Sequence, residues 1–210
     1  MLLNYKDFAD SHMDLLDELC VLVGKNNQID PEFYKKYDVK RGLRNGNGTG
    51  VLVGLTEIGD VHGYTVVDGH KRPIEGELFY RGINVKDLIR GFQAEKRFGY
   101  EETCYLLLFG ELPNKTQLND FTRLLGENRG LPDGFTEDMI LTAPSRNIMN
   151  KLARSVLASY SYDSNPDDTK IKNILRQSIE LIARFPTMAA YAYQAKARYY
   201  DSKSLFIHSP

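Results

Sequence analysis

Apolar positions in the first 25 residues recur at three- and four-residue steps. Phe8, Leu15, Leu16, Leu19, Leu22 and Val23 share one helical face with acids between them, and Gly24 marks a stop. Pro31 pre-sets the first turn of a short helix behind it. Residues 41–82 change character: glycines are frequent and the β-branched runs are short, at 51–55 and 64–67. Asp68-Gly69, directly after the second run, is a tight-turn signal between extended pieces, which predicts a small β-hairpin region near residues 50–80.

From Asn84 onward the period is helical again. Residues 100–109 form an almost unbroken apolar run, tolerable in a helix only when most of its sides are buried. Asn114 and Gln117 have the spacing of an N-cap and its reciprocal partner, opening a helix through Leu125. A further amphipathic segment spans 147–160 through Ile148, Leu152, Val156 and Leu157, and Asp163-Ser164-Asn165-Pro166 breaks it. The last pattern is predicted to start at Asp167 and Asp168, acids suited to a helix N-terminus. Its apolar stripe is Ile171, Ile174, Leu175, Ile179, Ile182 and Phe185. Pro186 then predicts a break or kink, because it removes one rung of the hydrogen-bond ladder. Beyond it, small residues on several faces (Ala189, Ala190, Ala192, Ala195, Ala197) permit close approach to neighbouring helices. The chain is mainly α, divided into an N-terminal helical segment (1–40), a Gly-rich β-hairpin region (41–83) and a helical part (84–210).

Composition narrows the function classes. Lys and Arg number 27 against 28 Asp and Glu, and no segment carries a basic excess, which argues against a nucleic-acid footprint. Cys20 and Cys104 lie in apolar stretches without CxxC spacing, as buried free thiols of a reducing compartment do; a disulfide framework or metal site is not expected. No run of about 18 apolar residues predicts a membrane span. Asp7, Asp10, Asp14, Asp17 and Glu18 fit neither a secretory signal nor an acid-poor transit peptide. A soluble, cytoplasmic protein is the expectation.

Candidate chemistry is sparse. Backbone amides of the cluster Asn45-Gly46-Asn47-Gly48-Thr49-Gly50 suit a phosphate, with Arg41 and Arg44 adding charge, and suit a flexible turn equally. No Lys-Ser/Thr pair follows, and a strand-like run follows where a dinucleotide fingerprint requires a helix. Of the four histidines, His12 lies in the first helix and His208 near the end, while His62 and His70 in the hairpin region have candidate orienting carboxylates in Asp60 and Asp68. Both pairs stand in turn-like sequence, where Asp also serves backbone geometry. Ser145, Ser155, Ser159 and Ser161 lack a nucleophile elbow, and Glu101-Glu102 and Asp167-Asp168 read as solvated helix starts. Arg198-Tyr199-Tyr200 suits a ligand or simple packing. Residue chemistry alone assembles no complete catalytic site.

Three ordered motifs carry a resemblance. They are Glu75-Gly76-Glu77-Leu78 with Tyr80-Arg81-Gly82 and the helix start at 85–89; "ETCYLLLFGELP" at 102–113; and "LIARFPTMAA" at 181–190. Together they resemble the citrate synthase family, its Si-type bacterial branch in particular, and the amino-terminal portion of it. The resemblance implies a nearly all-α citrate synthase-like fold, here the amino half of its large domain and so a single incomplete domain. It also implies a homodimer, and condensation of acetyl-CoA with oxaloacetate to citrate and CoA in the citric acid cycle. Acetyl-CoA is a substrate there and no resident cofactor is implied.

The family's catalytic histidines, aspartate and carboxylate-binding arginines lie beyond the "PT-x-A-A" helix. No catalytic residue is therefore assigned within these 210 positions; they are expected downstream of Pro210. His208 resembles a loop histidine and not a catalytic one. Arg44, in "GLRN", resembles an arginine that in some relatives holds a CoA phosphate. Where many relatives have His-Pro-Met, this chain has Ser145-Arg146-Asn147-Ile148-Met149. The resemblance leaves a 2-methylcitrate synthase part open, and residue chemistry leaves open a non-catalytic helical dimerisation module. A half cut from a two-part fold is expected to expose apolar surface and self-associate.

Overall fold

The computed structural model describes residues 12–37, 39, 51 and 54–210. These fall into two units, one holding the described residues up to Cys20 with Asn119–Pro210, the other Val21–Leu118. Helix α1, Met13–Asn26, carries the first amphipathic pattern and buries Leu16 and Leu19; Phe8 lies outside the described residues. The helix runs two residues past Gly24, since one glycine costs only about 1 kcal/mol in a helix and Asn26 Nδ2 holds the end by donating to the Phe109 carbonyl at 2.6 Å. Helix α2, Glu32–Lys36, follows Pro31 as expected, with Asp30 Oδ1 accepting the Glu32 N–H at 2.9 Å.

In the second unit, β1 (Gly59–Val67), β2 (His70–Tyr80) and β3 (Ile83–Asn84) form an antiparallel sheet in that order. Asp68 and Gly69 both take left-handed conformations, φ 52° and 76°, the geometry that matches strand twist in a two-residue hairpin. Register runs from Val67↔His70 to Tyr64↔Pro73 and from His62↔Glu77 to Gly59↔Tyr80. Between these stretches Gly63 stands opposite Ile74, Glu75 and Gly76, so the bulge belongs to β2 and β1 stays regular. Of the β-branched run at 51–55, Val51, Gly54 and Leu55 belong to no strand, a correction to that part of the expectation, while Leu52 and Val53 lie outside the described residues. The Thr56 hydroxyl accepts the Ile58 N–H at 3.1 Å, turning the chain just before β1.

Helix α3, Val85–Ala94, starts where Asn84 in extended conformation accepts the Lys86 N–H. Helix α4, Tyr100–Phe109, is the apolar run; Tyr105, Leu106 and Phe109 are buried, and Gly110 at φ 81° ends it. In α5, Lys115–Glu127, the reciprocal cap forms as spaced: Asn114 Oδ1 accepts the Thr116 and Gln117 N–H groups and Gln117 Oε1 accepts the Asn114 N–H.

The first unit is built around α6 (Ile148–Ser159), a 3-10 turn (Tyr160–Tyr162) and α7 (Ile171–Tyr200). A π-helical segment, Thr136–Leu141, precedes them, without a counterpart in the sequence pattern. Phe135, Ile140, Leu152, Met188, Ala192 and Ala195 pack into one apolar cluster.

Helix α7 meets expectation only in part. It starts at Ile171, because Asp168 stays outside it as a turn residue whose Oδ1 accepts the Lys170 N–H. Of the break or kink expected at Pro186, the break does not occur, for the helix is continuous there. Ala183, Thr187 and Met188 are buried around the proline, so tertiary packing outweighs the lost rung. Of the expected stripe, Leu175 and Ile179 are buried and Ile182 is half-buried, while Ile171, Ile174 and Phe185 are exposed; the buried face takes in Asn173, Arg176 and Glu180 instead.

Candidate functional site

Arg81 follows the hairpin at φ 49°, left-handed for a non-glycine residue. That turn aims its guanidinium at two helix ends. Nη2 donates to the Leu107 carbonyl at 3.0 Å and to Asn27 Oδ1 at 2.7 Å, and Nη1 donates to the Asn26 carbonyl at 3.2 Å. A cation at two helix C-termini satisfies carbonyls that lack a helical partner and complements both dipoles. Arg81 of the Tyr80-Arg81-Gly82 motif is thus a tie between elements, with its donors already engaged.

Beside it lies an open depression of about 670 Å³, lined among others by Tyr37, Glu57, Asp60, His62 and Phe79. The sequence-paired Asp60 and His62 meet here: His62 Nε2 is 2.7 Å from Asp60 Oδ2, and the imidazole packs against Phe79 at 5.2 Å between centroids. Both side chains are at least half exposed, so the pair is a solvated hydrogen-bonded contact. Asp68 instead forms the hairpin turn and His70 opens β2. His12 pairs with Glu127 at 2.9 Å, and the carbonyl of His208 accepts the Tyr191 hydroxyl at 2.6 Å. Arg41, Arg44 and Asn45–Gly50 lie outside the described residues.

Two further carboxylate candidates have structural partners. Glu102 Oε2 lies 2.7 Å from Arg97 Nη1, and Asp167 accepts the Tyr160 hydroxyl at 2.9 Å. Arg146, in the stretch that departs from the family pattern, stacks on Tyr200 at 4.6 Å. Among the described residues no group of three or more His, Cys, Asp or Glu side chains is arranged to hold a metal. Burial pushes both the Cys20 and Cys104 thiols up, away from the reactive thiolate.

The densest polar cluster is one the sequence pattern missed. Arg176, almost fully buried in α7, donates through Nη2 to both Asp163 oxygens at 2.9 and 2.7 Å and through Nη1 to Glu180 Oε1 at 2.9 Å. Glu180 Oε2 accepts from Arg184 Nη1 at 3.0 Å, and Gln177 Nε2 also reaches Asp163. Burial alone raises the Asp163 pKa, but hydrogen bonds from Arg176, the Asn165 amide and Gln177 outweigh it and hold the carboxyl below its ordinary value. The four-residue spacing Arg176–Glu180–Arg184 was the available signal. The ammonium of Lys151, also buried, donates to the Met139 and Ala143 carbonyls and closes the π-helical segment. Burial, with Arg154 adding repulsion, lowers its pKa.

A family model described as "Citrate synthase, C-terminal domain" matches residues 46–208. The chain is 32% identical over 160 residues to the citrate synthase of Saccharolobus solfataricus, an alignment covering 75% of this chain and 36% of that protein. It is 36% identical over 132 residues to peroxisomal citrate synthase 1 of Arabidopsis thaliana, covering 59% of this chain and 26% of that one. Among solved structures, the citrate synthase of Pyrobaculum aerophilum superposes with a TM-score of 0.56 at 26% identity, over 76% of this chain and 40% of that one. The chain belongs to the citrate synthase family. It spans about a third or less of the length of the curated relatives it matches. No helix among the described residues is long and apolar enough to cross a membrane.

Proposed function

We propose that these residues serve a citrate synthase, an acyltransferase that condenses acetyl-CoA with oxaloacetate and releases citrate and CoA in the citric acid cycle. One observation carries this reading: the family match over residues 46–208, within which the three motifs fall in family order. In the structure they are the Arg81 tie, the α4 run ended by Gly110, and the Pro186 turn of α7. The complete enzyme works as a cytoplasmic homodimer with acetyl-CoA as substrate and without a resident cofactor. Arg44 contributes to the CoA phosphate contact, which suits guanidinium geometry.

The 210 residues supply no catalytic acid, base or carboxylate clamp and are inactive alone. Thiol release from acetyl-CoA, with and without oxaloacetate, tests both statements on mass-verified protein. The product of the whole reading frame containing these residues should release CoA only with oxaloacetate. A folded whole product without that activity overturns the enzyme assignment. Oxaloacetate-dependent release by the 210-residue chain overturns its catalytic incompleteness.

A further inference from the structure

We draw no further inference here: the strongest candidate, the exposed apolar face of α7 that runs from Ile171 and Ile174 through Phe185 to Tyr193, carries nothing, because nothing in the structure shows what covers it and a second copy seated there restates an established property of the family.

Discussion

The Arg176 Nη2 atom lies 2.7 Å from Asp163 Oδ2, with the arginine side chain only 3% and the aspartate 13% exposed. This pair joins the start of α7 to the loop that ends the 3-10 turn. It holds the loop by charge between the buried stripe residues Leu175 and Ile179. Removing one partner of such a pair leaves the other buried and uncompensated.

Arg176→Met is accordingly expected to lower unfolding free energy by about 3–5 kcal/mol. Urea denaturation followed by circular dichroism measures it. A midpoint unchanged from wild type would mean that the loop is held by other contacts.

The same pair predicts a pH dependence. The folded Asp163 pKa is below the ordinary 3.8. Its stabilising contribution is therefore complete above the unfolded value and is lost as pH falls through the depressed folded value. Asp163→Asn should flatten that part of the acid limb in a stability-against-pH profile while destabilising the protein at neutral pH.

Lys151→Met leaves the Met139 and Ala143 carbonyls without their buried donor, at a cost of about 1–3 kcal/mol. Amide exchange should accelerate first in Thr136–Leu141. The opposite charge logic applies to this group: its lowered folded pKa means the ammonium is disfavoured in the fold. Wild-type stability from this residue therefore rises as pH climbs from the lowered value toward the unfolded 10.5.

Two glycines should respond with opposite signs. At Gly110 the backbone sits at φ 81° and an added Cβ would stand 2.7 Å from Asn26 Cβ, so Gly110→Ala is destabilising by at least about 1–2 kcal/mol. Gly91, inside α3, has open space and an ordinary backbone; Gly91→Ala should raise stability by up to about 1 kcal/mol. Thermal melts of the two variants decide it.

Arg81→Lys keeps the charge and loses the fork. A lysine cannot reach the Asn26 and Leu107 carbonyls and the Asn27 side chain together, so a loss of about 1–3 kcal/mol is expected. Hydrogen exchange at the ends of α1 and α4 should report it.

The sequence by itself determined the local grammar of this protein. Asp68-Gly69 specified the hairpin turn, Asn114 with Gln117 the cap of α5, and Gly110 the end of α4, because each depends on conformations and hydrogen bonds within a few residues. The family motifs were legible for the same reason, being short and ordered. Tertiary structure decided what depends on distant partners. It carried α7 through Pro186, kept Asp168 outside that helix, and buried Arg176 and Glu180 where hydropathy places polar residues in water. It also gave Arg81 its role, since the helix ends it ties together are 26 and 55 residues away along the chain. Local rules rank conformations by propensity alone; buried charge and packing become favourable only when a partner from elsewhere in the chain is already in place.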